Sequence, residues 1–355
     1  MKTNQPPTIK DVADRAGVSI SLVSLVINNR PKVSPHREAL VRQAMKELGY
    51  APPPPGRRRG PRLNSRRPTH RVAMVVTVRN TLRLQAPVYA NVLHAIADAS
   101  AGFGKAMTIH HLEASELSPE VAHALKQSDG AIFFGQPVRG PLFRQLQKTP
   151  CVRVFGLPDS DGFWDQVTYD NAVIGRLAAH YILEKGCRLA AFLGPTKRTS
   201  GGDMITEERG SVFREVMESH GCKVLCTGDM NFMAEAGNRH AINVPKFEAA
   251  VDHLLSGPDR PGAIFVPGDL MANTLHNVLL SRRLRPGKDM LIVSVNNEQL
   301  LLDHLSPRPA TIDIHAADIG RAAVDVLQRR MTNLRMPRSV LVLQPTMVPG
   351  GEQDA

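Results

Sequence analysis

The sequence predicts an all-α helix-turn-helix headpiece followed by an α/β body of two doubly wound parallel-sheet subdomains. Three observations lead there. Residues 8–50 hold three helical patterns with their own start and stop signals, residues 51–69 are rich in proline and arginine, and from residue 70 short apolar runs alternate with amphipathic stretches. A chain of 355 residues accommodates a small headpiece and a body large enough for two subdomains.

The headpiece helices follow from side-chain chemistry. Thr8 is placed to accept from the Asp11 backbone N–H while the Asp11 carboxylate reaches back, a capping box that starts a helix with Ile9, Val12, Ala13 and Ala16 on one face. Gly17 supplies the positive φ that ends it, and Ser19 caps a second helix two residues later. So short a connection forces a steep crossing. On the second helix Val23, Val26 and Ile27 point inward, leaving Ile20, Ser21, Ser24 and Leu25 outward, with Asn28 and Asn29 at its close. Ser34 and Pro35 open a third helix in cap-then-proline order, with Leu40, Val41, Ala44, Met45 and Leu48 as its expected buried stripe and Gly49 at its end.

In the body, RVAMVVTV (71–78) reads as a buried strand, Val88–Ala101 as a helix, KAMTIHHL (105–112) as a strand and 118–127 as a helix. The strand GAIFFG (130–135), a helix near 139–147 and the strand CVRVFG (151–156) complete one βα series. The pattern then repeats with strands at 166–170, 188–194, 223–228, 262–268 and 290–295 and helices at 171–185, 207–220, 245–255 and 270–283. Strand 310–314, helix 316–330 and strand 339–345 close the chain.

Charge separates the two parts. Residues 1–71 carry fifteen Lys and Arg against four Asp and Glu, a net of +11, so the other 284 residues sum to zero. A basic excess confined to one end is the electrostatic footprint of a nucleic-acid module. The four cysteines stand singly in apolar segments, and the C-x-x-x-C spacing of Cys222 and Cys226 has no second ligand pair, so the expectation is reduced thiols and no metal. Neither a signal peptide nor an apolar run of membrane-spanning length is evident, which points to a soluble cytoplasmic protein. Gly102–Lys105 and residues 194–202 lack the spacing of a phosphate loop, no G-x-S-x-G occurs and no acid/base pair stands out, so neither an enzyme nor a cofactor is expected.

T-I-K-D-V-A-x-x-A-G-V-S from Thr8, then V-S-x-V-x-N-N, V-S and L-G-Y-x-P, closely resemble the N-terminal signature of the lactose-repressor (LacI/GalR) family of transcription regulators. In the body, D-G-A-I-F (129–133), V-T-Y-D-N (167–171), E-R-G-x-x-F (208–213) and A-I-F-V-P-G-D-x-x-A (263–272) resemble the same family's effector domain, of the type I periplasmic-binding-protein fold. The resemblance implies a headpiece over 1–50, a linker over 51–69 and an effector-binding and dimerisation domain over 70–348. Within the last it implies a first subdomain of about 70–168 and 307–333 and a second of about 169–306 and 334–348. It also implies a homodimer on a near-palindromic operator in double-stranded DNA, whose affinity a small molecule, a sugar or related metabolite, modulates. The alternative is a regulator that has lost effector sensing and uses the body only to dimerise.

Carried over by position, the DNA-binding residues are Thr8, Ser19, Ile20, Ser21, Ser24, Leu25 and Asn28. Leu25 stands where many members have arginine, and leucine offers only apolar contact, for instance to a thymine methyl. Leu22 replaces a frequent threonine. Either Leu25 reads bases or both leucines are packing residues. After Tyr50 the family usually has a short hinge helix, but Pro52–Pro55 cannot sustain one. Arg57, Arg58, Arg59 and Arg62 suit an extended arm in a narrow minor groove or, equally, a basic tether that tracks phosphates. For the effector the resemblance points to Arg209 as a donor fork with Asp170, Asp269, Asn296 and Tyr89. Asn296 stands where the family often has aspartate, which puts a sugar ligand of the usual kind in question. Trp164 is either a stacking surface for a ligand or packing.

Overall fold

The computed structural model describes residues 7–28, 33–52, 69–77, 87–112, 117–135, 146, 149–156, 164–194, 204–227, 232 and 242–351. The chain divides into two compact units, Met1–Arg67 and Pro68–Ala355.

The first unit holds α1 (Ile9–Ala16), α2 (Ile20–Ile27) and α3 (Pro35–Leu48). Its capping box forms as the sequence requires: Thr8 Oγ1 accepts from Asp11 N while Thr8 N donates to the Asp11 carboxylate at 2.7 Å. Gly17 and Gly49 both adopt the left-handed conformation, at φ 63° and 65°, and end α1 and α3. Val12, Val23 and Val41, one from each helix, are fully buried and form the small core with Ala13, Val26 and Ala44. Leu40 departs from its expected place in the buried stripe. It is 39% exposed, because α3 turns the Val41–Ala44 line inward and Leu40 lies one helical step to the side. Ser34 occupies the cap position without a capping bond from its hydroxyl.

The second unit runs β1 (Arg71–Thr77), α4 (Pro87–Gly102), β2 (Ala106–His111), α5 (Pro119–Lys126), β3 (Gly130–Gly135), β4 (Cys151–Val154) and β5 (Asp165–Tyr169). It continues with α6 (Asn171–Glu184), β6 (Leu189–Phe192), α7 (Met204–Ser219), β7 (Lys223–Cys226), α8 (Val244–Ser256), β8 (Ala263–Phe265) and α9 (Asp269–Ser281). Then come β9 (Leu291–Val295), α10 (Gln299–Leu302), β10 (Ala310–Asp313), α11 (Ala316–Thr332), β11 (Val340–Leu343) and β12 (Thr346–Val348). The helix expected near 139–147 falls almost wholly outside the described residues.

Two six-stranded sheets result, in the orders β11-β5-β4-β3-β1-β2 and β12-β10-β9-β8-β6-β7. Every pairing is parallel except that of β12 with β10. The chain crosses between lobes as often as the expected subdomain bounds imply, but at different residues. Residues 307–333 are expected in the first subdomain, but β10 pairs with β9 in the second sheet. Residues 334–348 are expected in the second, but β11 pairs with β5 in the first. Short apolar strands at a crossover carry no mark of which sheet accepts them.

Close helix contacts and one buried ion pair fix each lobe. Gly320 of α11 meets α4 so closely that a Cβ there would lie 2.7 Å from the Val92 carbonyl oxygen, and Gly175 of α6 meets the Arg209 carbonyl at 2.5 Å. Arg330 Nε and Nη2 fork onto the Asp165 carboxylate at 2.6 and 2.9 Å, and further N–H groups donate to the carbonyls of Leu334, Met336 and Pro337. Burial alone would raise the Asp165 carboxyl, but Arg330 and Ser339 hold it below the ordinary aspartate value.

Candidate functional site

In the headpiece the structure separates helix-building residues from outward-facing ones. Thr8 and Ser19 are committed to caps, Ser19 Oγ accepting from Leu22 N at 3.3 Å. The Ser24 carbonyl accepts from Asn28 Nδ2 at 2.7 Å, which closes α2. Ile20 at 47% and Leu25 at 38% stand exposed with Ser21, an apolar and hydroxyl face. Leu22 is half-buried against the headpiece core, so of the two leucines it is the packing one. Arg57, Arg58, Arg59 and Arg62 lie outside the described residues.

In the body, two bonds between lobes show that the carboxyl ends of the two sheets face each other. Arg209 Nη2 donates to the Tyr169 hydroxyl at 2.9 Å, and Val88 N donates to Glu298 Oε1 at 2.7 Å. Such carboxyl ends are where open α/β sheets take ligands. A cavity of about 480 Å³ bordered by Lys185, Gly262, Lys288 and Ala310 lies at the opposite, amino-terminal ends of β8, β9 and β10, away from this cleft.

Arg209 is the centre of the cleft. It is only 4% exposed; Nε donates to Asn171 Oδ1 at 2.9 Å, Nη1 to the Pro267 carbonyl at 2.7 Å, and the guanidinium lies 5.4 Å from the Tyr169 ring centroid. Helix α7 brings it to the point where β5 hands over to α6, so one side chain touches both lobes. Asp170 caps α6 through Val173 N at 2.9 Å and remains half-buried. Nearby Glu208 is raised above the ordinary glutamate value by burial and by Asp170.

On the first-lobe side the expected Tyr89 is one of four aromatic side chains. Its ring meets Phe134 edge-on at 5.4 Å and Phe155 at 6.1 Å, and Phe155 meets Tyr169 at 5.4 Å. Sequence reasoning missed Phe134, Phe155 and Tyr169. Their one shared signal is position at or just beyond a strand's carboxyl end. Phe155 is held at φ 68°, a strained setting for a non-glycine residue of the kind that gathers at functional sites. Trp164 is not among them: it stacks on Phe133 at 4.1 Å within another cluster of the first lobe, and is packing.

Asp269 corrects the sequence expectation most clearly. It is fully buried, and its oxygens accept from Ser294 Oγ, from Thr311 Oγ1 at 2.8 Å and from Glu298 N at 2.7 Å. An aspartate so saturated is scaffold that ties α9 to β9, β10 and the following loop. Burial lifts its carboxyl to about 6 despite those donors. Asn296, at φ 112°, donates its side-chain amide to Glu298. Glu298 itself, unremarked in the sequence, is 2% exposed and is pushed up to about 7, chiefly by burial. Among the described residues no group of histidines, cysteines and carboxylates is arranged to hold a metal ion, and no helix is long and apolar enough to cross a membrane.

A compact three-helix headpiece with an outward helix, in one chain with two parallel-sheet lobes facing across a cleft, defines a DNA-binding regulator with an effector-type domain. Comparison with known proteins makes this specific. The profile of bacterial regulatory proteins, lacI family, matches residues 8–53, and that of the periplasmic binding protein-like domain matches residues 179–351. The ribose operon repressor of Escherichia coli is 28% identical over 351 residues, which is 97% of this chain and 99% of that protein. The transcriptional repressor PurR of Edwardsiella ictaluri is 29% identical, over 96% of this chain and 95% of its own. Among solved structures, a complex of the transcriptional regulator CelR with cellobiose aligns with a TM-score of 0.61 at 26% identity, over 97% of this chain and 99% of that one. A lacI-family protein from Rhizobium etli aligns with a TM-score of 0.65 over 81% of this chain and 100% of its own, and at 18% identity shows the fold alone. The chain belongs to the lactose-repressor (LacI) family of transcriptional regulators.

Proposed function

We propose that this protein is a cytoplasmic, non-enzymatic repressor that binds a near-palindromic operator as a homodimer and responds to a sugar or related metabolite in the cleft between its lobes. The observation that carries the effector reading is Arg209, a nearly buried guanidinium placed where both lobes meet and backed by Tyr169, to which Phe155 and Tyr89 connect in turn. Among the described residues three of its five N–H donors are engaged, and the proposed ligand oxygen takes the guanidinium edge that remains. Half-exposed Asp170 and Asn296 supply an acceptor and an amide beside it. Similarity to a ribose operon repressor and to a regulator solved with cellobiose supports a ligand of this kind.

On the DNA side, residues 1–50 act as the reading headpiece and residues 51–69 as the linker whose Arg57, Arg58, Arg59 and Arg62 meet the duplex. Outward Ile20, Ser21 and Leu25 favour half-sites with thymine methyls over guanine-rich ones. A second reading, a body that only dimerises, draws on the saturation of Asp269 and on the lobe-to-lobe bond of Glu298.

Selection of operators from random duplexes, repeated with a panel of pentoses, disaccharides and nucleobases, tests both. An inverted repeat whose enrichment changes with one panel member establishes the effector reading. An inverted repeat indifferent to every member, with no ligand shifting the melting of the body, establishes the second. Failure to enrich any motif would refute specific operator binding altogether.

A further inference from the structure

Helix α4 begins at Pro87, which has no N–H, so Val88 carries the first donating amide at its amino end. An exposed helix start of this length attracts an anion through its free N–H groups and its dipole. Here the chain supplies the anion itself, from 210 residues away and from the other lobe: Glu298 Oε1 accepts from Val88 N at 2.7 Å, and both residues are buried.

The placement is built. Consecutive Asn296 and Asn297 take positive φ values of 112° and 57°, a turn that carries the chain from β9 toward α4. Glu298 N is then pinned to Asp269 at 2.7 Å, and the Asn296 amide donates to the Glu298 carboxylate. The charged group described against it is the Asp269 carboxylate, itself under the influence of Arg308. A ligand group that came to this helix end would therefore meet a seat already taken, with a second carboxylate behind it.

We propose that Glu298 is a positioning residue that joins the lobes by capping α4 with its carboxyl oxygen, and that by filling this helix end it makes the cleft select effectors bearing no negative charge there. The selectivity clause rests on the cleft being the effector site; the joining role does not. It holds the start of α4, and with it Tyr89, the next residue, against the second lobe before any ligand arrives.

Amide hydrogen exchange in the full-length protein, with no effector or operator present, tests the joining role directly. Loss of a capping acceptor speeds exchange of the capped amide about fivefold. In Glu298→Ala the first turn of α4 should exchange faster by that factor while β1 and β9 stay protected. In Glu298→Gln, which keeps an acceptor oxygen, protection should return. Sodium acetate should slow the first turn in Glu298→Ala by refilling the vacated seat. Should Glu298→Ala exchange rapidly everywhere, Glu298→Asp carries the same test, because it keeps the charge but falls short of Val88. The proposal is overturned if the first turn exchanges as in the parent protein in both shortened variants. It is equally overturned if neither Gln nor acetate restores what Ala loses. Since no effector is used, either outcome is independent of the ligand panel.

Discussion

Gly175→Ala would put a methyl group into the closest approach of α6 and α7. A Cβ there lies 2.5 Å from the Arg209 carbonyl oxygen and 2.9 Å from Phe213 N, and both obstacles are backbone that cannot rotate aside. Ordinary contact needs about 3.5 Å, so the helices must part by about 1 Å. Overpacking against backbone that cannot yield lies in the upper part of the usual range, roughly 2–3 kcal/mol, against a gain of about 1 kcal/mol from replacing glycine within a helix. The net destabilisation is about 1–2 kcal/mol, a fall in Tm of about 3–6 °C for a lobe of this size. Displacement matters as much as stability, because Arg209 holds its partners at 2.7–2.9 Å and a shift of 1 Å breaks them. Gly130→Ala is the control, with a Cβ 2.9 Å from Leu327 Cδ1 and 3.2 Å from the Pro150 carbonyl oxygen, but at the amino end of β3, away from the cleft and from Arg209. Scanning fluorimetry with and without ligand should show both variants melting earlier and only Gly175→Ala losing its ligand response. A Gly175→Ala protein with the parent's Tm and ligand response would refute the idea that this contact sets Arg209.

Three further outcomes follow from the same structure. Glu298 and Asp269 hold protons more tightly folded than unfolded, so the stability they contribute is fully present below about pH 4 and is lost as pH rises through 6 and 7. Raising Glu298 from 4.5 to about 7 corresponds to about 3 kcal/mol, so the stability of Glu298→Gln relative to the parent should improve by that order from about pH 5 to pH 8; a pH-independent difference would contradict it. Arg330→Ala leaves Asp165 ionised and buried and should cost about 3–5 kcal/mol in urea unfolding, whereas a cost below about 1 kcal/mol would mean the pair is open in solution. Alanine at Arg57, Arg58 and Arg59 together should flatten the salt dependence of DNA binding by about 0.9 for each phosphate no longer neutralised, and an unchanged slope would remove the linker from the interface.

What the sequence disclosed was whatever depends on neighbours in the chain. Thr8 with Asp11, Gly17, Ser19 and Gly49 are local devices, and all four act where the pattern puts them. The order of strands and helices is local too, since buried parallel strands are continuous apolar runs. Sheet membership of β10 and β11 is not local, and the subdomain bounds taken from the resemblance misplace both. The same divide runs through the cleft. Arg209 and Asp170 are visible through the phrases that carry them, but an acid in a motif does not reveal whether a ligand or the protein satisfies it. Asp269 is answered by Ser294, Thr311 and Glu298, three residues that lie 25, 42 and 29 positions away along the chain. Glu298 is invisible for the complementary reason: its partner, Val88, offers only a backbone amide, which leaves no trace in residue identity.

Helix α4 connects these features into a route from cleft to linker. Its amino end carries Val88 and Tyr89; its length packs on α11 at the Gly320 contact, too tight to slide without moving the partner. α11 ends in Arg330, locked onto Asp165 at the amino end of β5. The same end of that sheet receives the chain from the linker, where Asp129 accepts from Thr69 N and His70 N and is paired with Lys105. A ligand that shifts α4 is expected to change exchange where the linker enters. Spatial continuity alone does not establish coupling, so the discriminating measurement is exchange at Thr69, His70 and Arg71 on adding an effector found by the panel. Exchange that changes there in the parent but not in Glu298→Ala would place the coupling on this route, and change that survives in Glu298→Ala would send it elsewhere.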